Sequence, residues 1–370
     1  IRFAPPKTGL WECEITINVG NGNEVFQAPI FTFEVIESNN KGYLKVDNNH
    51  RFFKRDAKSF MPLGLNYSWP GGGTDGGYPL FTPGEDLMNP AQYYGETAPI
   101  AAYEAYMRKM DTLADYGANY FRMIMCPWSL DIEYEKLGDY SDRMHIAKEM
   151  DLILERAKAN DMMIHWNLMI HYVFQHEPYD ITAWDWTDNA EGQDGQQNDG
   201  EDDLYCYRSD PQLELEEPIE WFTNPLSKKY YKERLRYIVA RWGYSPDIAV
   251  FEHFSEIDQI GGGGAGDNDT IEYITESYQD EIASWHAEMT NYMKNDLYVE
   301  QLISPSYTSD VDDPFSDSTV GANNDYTFSL DSIDLVNYNN YDFGQGDDDG
   351  RNYPKNFNYF FNVSLFTVGY

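Results

Sequence analysis

The sequence predicts an α/β chain: a (β/α)8 barrel of the TIM type, its last strand absent from the chain, preceded by part of a β-sandwich. Three observations predict it. Short apolar runs at Phe60–Tyr67, Ala118–Met125, Met162–Ile170, Ala249–Phe254, Leu297–Ser304, Ile333–Tyr338 and Asn362–Gly369 are separated by stretches of helical periodicity or long insertions, the pattern of parallel strands joined by helices. The clearest unit is Ala249–Asp258, AVFEHFSEID, an apolar run that closes in acids. A helical pattern ending at Trp242-Gly243 and the breaker Ser245-Pro246-Asp247 precede it, and Gly261–Gly264 follow. Finally, residues 1–36 alternate and turn as β-structure.

Taken in order, RFAPPKTGLWECEITINV reads as two strands about a Pro/Gly turn, and APIFTFEVI as a third. Three strands are too few for an independent sandwich, so residues 1–40 are expected to be the C-terminal part of one, with the barrel over 41–370. Lys41–Lys54 reads as a hairpin turning at Asp47-Asn48-Asn49. Phe60–Tyr67 is the first barrel strand, and Gly71–Gly77 lack the Lys-Ser/Thr of a phosphate loop. Ala101–Tyr116 puts Tyr103, Tyr106, Met107, Met110, Leu113 and Ala114 on one helical face, closed by Gly117. Asp142–Asn160 is the next helix, with Ile146, Met150, Ile153, Leu154 and Ala157 inward. Tyr172–Asn224 is a long insertion mixing acids with aromatics, read either as a glycan-lining wall or as a lid held by its own aromatic cluster. Ser227 opens the third helix, with Tyr231, Leu235, Ile238, Val239 and Trp242 inward, and Thr270–Asn295 is the fourth. Seven barrel strands are counted before the chain stops. An open sheet would leave unpaired edges, so the chain is expected to be incomplete at its C-terminal end and, starting at Ile1 in mid-domain, processed or incomplete at its beginning.

A formal charge of −37 argues against nucleic acid, which needs clustered Lys and Arg. It suits a solvated extracellular or cell-surface protein, in salty water or with bound calcium. No run reaches membrane-span length. The three cysteines, Cys13, Cys126 and Cys206, make neither a disulfide framework nor a zinc site. His165, His171 and His176 lack a helical metal spacing, and Asp310–Asp313 and Asp347–Asp349 lack that of an EF-hand. No metal or cofactor is expected.

ERLRYIVARWGYSPDIAVFEHFSEID resembles the segment before and through strand four of the retaining barrel glycoside hydrolases of the cellulase and mannanase clan. RFAPPKTGLWECEI is similar to the closing strands of the immunoglobulin-like domain that precedes some of those barrels, and SWHAEMTNYMKNDLYVEQLISPSY to helix four and strand five. The resemblance implies a secreted protein acting on a β-linked polysaccharide, with Glu256 as general acid/base and Arg122 beneath the catalytic acids. Barrel sites form at strand C-terminal ends, which adds Asn66, Trp69, Trp128, His171, His253, Ser255 and Tyr341 as candidate sugar contacts. Strand alternation puts His253 and Ser255 on one side and Glu256 on the other unless a bulge intervenes.

Three departures from the family pattern stand beside this. Ser255 replaces the Asn that usually precedes the acid, Asn339 stands where a His is usual, and the nucleophilic Glu expected after strand seven falls at Tyr370 or beyond. A retaining glycosidase needs two carboxylates roughly 5 Å apart. The alternative is therefore a non-catalytic carbohydrate-binding or structural surface protein on an inactivated barrel, and the chain as it stands is expected to bind oligosaccharide without hydrolysing it.

Overall fold

The computed structural model describes residues 5, 7–19, 24–48, 52–68, 102–126, 130–133, 136–141, 143–174, 212–213, 215, 219–257, 260, 278–309, 325–340 and 365–367. At the N-terminus, β1 (Gly9–Cys13) pairs antiparallel with β4 (Phe31–Val35), and β2 (Thr16–Val19) with β3 (Glu24–Gln27), one pair nested inside the other. A second antiparallel set follows, β5 (Lys45–Val46), β6 (Phe53–Arg55) and β7 (Lys58–Phe60).

The centre is a five-stranded parallel sheet. Its members, in spatial and chain order, are β8 (Gly64–Asn66), β9 (Tyr120–Ile124), β10 (Met163–Asn167), β11 (Ile248–Glu252) and β12 (Leu302–Ser304). Every residue of β9, β10 and β11 is buried, which is why these strands read as unbroken apolar runs rather than as alternation. Pro305 then interrupts the ladder, because it has no N–H to donate. The chain resumes as β13 (Ser306–Ser309), which pairs parallel with β14 (Val336–Asn340). Five parallel pairings thus follow one another along the chain, with β12 and β13 as two halves of one extended segment.

The helices cover the sheet. They are α1 (Ala102–Asp115), α2 (Met144–Ala159), the short α3 (Glu220–Thr223), α4 (Pro225–Trp242), α5 (Gln279–Asn291) and the short α6 (Asp325–Phe328). Tyr106 and Met110 of α1, Ile146, Met150, Ile153 and Leu154 of α2, Tyr231, Leu235, Ile238 and Trp242 of α4, and Ile282, Trp285 and Met289 of α5 share one buried cluster with the outward side chains of the strands. The helical periodicity of the sequence marks the same faces.

A second cluster joins Leu44 and Phe53 of the hairpin region to Tyr120, Met163, Ala249 and Leu302, which open or nearly open their strands. Arg55 on β6 pairs with Asp247 ahead of β11 at 2.8 Å. The hairpin therefore plugs the N-terminal ends of the parallel strands and leaves their C-terminal ends for other work.

Three expectations are corrected. The first barrel strand does not run over Phe60–Tyr67: Phe60 belongs to β7, and only Gly64–Asn66 join the parallel sheet. The third long helix begins at Pro225, not Ser227, because the Asn224 side chain accepts from the N–H groups of Leu226 and Ser227, a cap worth about 1 kcal/mol. Finally, β15 (Leu365–Thr367), inside the expected seventh parallel strand, pairs antiparallel with β14. The sequence pattern marks a strand there but carries no sign of its direction, since the side-chain period is the same either way. The architecture is α/β with a parallel sheet.

Among the described residues, no helix is long and apolar enough to cross a membrane, and no group of three or more His, Cys, Asp or Glu is placed to hold a metal ion. Cys13 is a free thiol, Cys126 is buried at the end of the β9 segment, and Cys206 lies outside the described residues.

Candidate functional site

The C-terminal halves of the parallel strands converge on a buried polar cluster centred on Arg122 of β9. Its Nε and Nη2 donate to the two carboxylate oxygens of Glu252, at 2.9 and 2.6 Å, a bidentate pair across the sheet interior. The remaining donors reach Asn66 Oδ1 at 3.1 Å and Ser255 Oγ at 3.1 Å. Glu252 also receives His165 Nε2 at 2.7 Å and Asn337 Nδ2 at 3.2 Å. Residues from β9, β10 and β14 thus meet on one carboxylate of β11, and β8 joins them through Arg122.

Burial opposes ionisation of Glu252, but Arg122 and His165 outweigh it and bring its pKa down to about 2. Burial likewise works against charge on Arg122, and Glu252 reverses it, so the guanidinium is held more firmly protonated than usual. Burial lowers the pKa of His165, so the imidazole stays neutral beside the carboxylate. Glu252 and Arg122 therefore form a permanently ionised, locally neutral pair, and Glu252 cannot give up a proton near pH 7.

Glu256 lies four residues further along, past the strand end. Its φ of 54° is left-handed, a conformation that costs a non-glycine residue on the order of 1 kcal/mol. It follows a local break in alternation. His253 and Phe254 both turn outward, His253 onto Tyr231 and Thr290 of the covering helices, Phe254 onto Phe174, Phe222 and Trp285. Two consecutive outward residues bring Ser255 back inside, onto Arg122. The Glu256 carboxylate then sits 3.4 Å from His171 Nδ1. The same nitrogen is 3.2 Å from the carbonyl oxygen of Ser255. A carbonyl only accepts, so Nδ1 carries the hydrogen. Burial lowers the His171 pKa to about 4, which makes it a neutral donor to the rim rather than a cation.

The structure thus brings together Asn66, Arg122, Ser255, His171 and Glu256 from the sequence-derived set. It does not bring in His253, expected on the same side as Ser255; the break at 253–254 buries its ring among helix side chains. Trp69, Trp128, Tyr341 and Tyr370 lie outside the described residues, as do the acidic tracts and most of the 172–224 insertion. Sequence reasoning missed Glu252, His165, Asn167 and Asn337. The signal for Glu252 was available: a buried Arg demands a carboxylate, and Glu252 is an acid inside an otherwise apolar strand.

Asn167 poses a separate problem. It closes β10, is fully buried, and neither atom of its carboxamide has a partner among the described residues. His165 faces inward to Glu252 and Trp166 outward to Trp242, so alternation turns Asn167 inward. An unpaired buried amide costs about 1–3 kcal/mol, and an apolar replacement of like shape removes that cost. Asn167→Leu is expected to raise stability by about 1 kcal/mol in urea titration; a loss of stability would mean that the amide is satisfied by bound water.

No family model matches the chain, and no curated protein matches it by sequence. Among solved structures it is similar to an exo-β-1,4-mannosidase from an Opitutaceae bacterium, with 14% identity and a TM-score of 0.44, over 71% of this chain and 35% of that one. An endo-1,4-β-mannanase from Eisenia fetida follows at 11% and 0.41, over 72% and 62%. A β-1,4-D-mannanase from Cryptopygus antarcticus has 11% and 0.44, over 80% and 71%. The chain spans less than two thirds of the first two proteins.

Proposed function

We propose that this protein is a glycoside-hydrolase-like protein, secreted or at the cell surface, that recognises a β-linked polysaccharide at the C-terminal ends of its parallel strands. In this reading the parallel strands belong to a (β/α)8 barrel, and β1–β4 to the closing part of an immunoglobulin-like sandwich. Glu256 is the proton donor of a retaining cleavage. The observation that carries the proposal is the division of labour between two acids on one strand end. Glu252 is locked as an anion by Arg122 and anchors the floor, while Glu256 lies past the strand end, buried beside the neutral imidazole of His171 and slightly more open than Glu252. A carboxyl beyond the strand end is the one in place to protonate a leaving oxygen. The oxygens of Glu252 are taken by Arg122, His165 and Asn337, so Glu252 does not serve as the attacking carboxylate that the retaining mechanism also requires. The acidic surface supports the extracellular assignment.

A second reading, carbohydrate binding without cleavage, is favoured by Ser255. It stands where the resembled hydrolases carry Asn, and its hydroxyl receives a hydrogen bond from Arg122 at the floor, so it is turned away from a sugar hydroxyl at the rim.

One experiment separates the two. Native protein and Glu256→Gln are assayed against a panel of β-linked polysaccharides, with binding measured in parallel by calorimetry. The hydrolase reading expects turnover that falls at least 100-fold in the variant, the scale of lost general acid catalysis. Binding retained without turnover in either protein selects the second reading. Neither binding nor turnover on any substrate overturns both.

A further inference from the structure

The outer surface of α4 runs against the charge of the whole molecule. Lys228–Arg236, KKYYKERLR, holds five of the chain's 26 basic residues, while the chain carries −37 overall. Arg234 turns inward to Asp131 at 2.8 Å. The other four, Lys228, Lys229, Lys232 and Arg236, line a groove of about 480 Å³ between α4 and the end of α5. Two carboxylates, Glu233 and Glu288, share the lining, which leaves an excess of two positive charges.

The pairings within the groove do not use up that excess. Glu288 is shared by Lys228 at 3.0 Å and Lys232 at 2.7 Å. The Lys229–Glu233 contact is 3.9 Å long and exposed, a kind of pair that contributes little. Arg236 is exposed and has no ion pair among the described residues. The stripe Lys228, Lys232, Arg236 repeats every four residues, about 6 Å along the helix axis. Tyr292 adds an aromatic face, with the Lys232 ammonium 5.5 Å from its ring centre, and Thr223 adds a hydroxyl.

We propose that this groove binds an anionic polysaccharide, a sugar chain bearing carboxylate or sulfate groups, with Lys229 and Arg236 as its main contacts. Lys229 and Arg236, seven residues and about 10 Å apart along the helix axis, suit charges spaced along an extended sugar chain. The aromatic face and the hydroxyl suit a polyhydroxylated ring, which an acidic peptide does not offer. The groove lies on the helix layer and uses none of the residues around Arg122 and Glu256, so the inference does not rest on the reading of the strand-end site. Because the rest of the surface repels a polyanion, binding is expected to be tightest at moderate salt, where a Debye length of about 10 Å hides distant charges and spares direct contacts.

The test is calorimetric titration of the full chain at 0.1 M salt with oligogalacturonate, sulfated dextran oligomers, neutral mannan oligomers and poly-glutamate. The expected result is binding of at least one anionic sugar, weakened tenfold or more in Lys229→Glu/Arg236→Glu and unchanged in Lys58→Glu, an exposed β7 residue outside the groove. Both replaced side chains are on the surface, and an unaltered melting temperature checks that the double variant folds. The first two probes identify the anionic group. Failure of both anionic sugars to bind overturns the proposal, as does equal binding by the double variant. Poly-glutamate binding as tightly as the sugars would also overturn it, in favour of an acidic protein partner.

Discussion

Arg122→Ala is expected to destabilise the protein by about 3–5 kcal/mol, the range found when one member of a buried ion pair is removed. The alanine leaves the Glu252 carboxylate in the interior with only His165 and Asn337 against it, and it strips Asn66 and Ser255 of their shared donor. The measurement is urea unfolding at pH 7. The companion variant Arg122→Met/Glu252→Gln removes both charges and is expected to recover most of the loss, since the penalty comes from the orphaned anion more than from any net attraction within the pair. If the single variant loses under 1 kcal/mol, the pair is not the floor of the site.

Stability is also expected to collapse between pH 6.5 and 4. Burial depresses the pKa values of four histidines: His165 and His253, and His171 and His286, each of the last two to about 4. The ring of His253 lies 6.1 Å from that of His286, so a charge on one also disfavours a charge on the other. A folded-state pKa below the unfolded value near 6.5 means that the unfolded chain binds more protons within that window. The stability is therefore complete above pH 6.5 and lost as pH falls towards 4. A histidine contributes a slope of about 1.4 kcal/mol per pH unit between 6.5 and its own folded pKa; His171, His253 and His286 act over most of the window and His165 adds to them above its own lowered value, enough together to unfold a domain of ordinary stability. Glu252 adds to the loss below pH 4.5, as the pH falls towards its folded value of about 2. Unfolding free energies measured from pH 7.5 down to 4.5 should show the steep slope, and His286→Asn should reduce it by about a quarter. A flat profile would mean that these imidazoles reach solvent.

What the sequence determined by itself is the alternation of strands and helices and the faces they bury. Apolar runs short enough for strands and stripes of period 3.6 are local properties of the chain. They mark Tyr231, Leu235, Ile238 and Trp242, or Ile146, Met150 and Ile153, as inward without reference to any partner. The same local chemistry marked Arg122 as a residue in need of a carboxylate and placed Glu256 at a strand's end. Tertiary structure decided the rest. Which acid pairs with Arg122 depends on which residues of β11 face inward, and two consecutive outward side chains at 253–254 shift that phase. With Glu252 inward as the floor and His253 outward on the helices, the break sends Phe254 outward as well and turns Ser255 onto Arg122. The antiparallel direction of β15 was likewise beyond sequence pattern, because a strand's period of two is the same whichever way its neighbour runs. Facing and direction are properties of pairs of strands, and a single chain read residue by residue carries only one member of each pair.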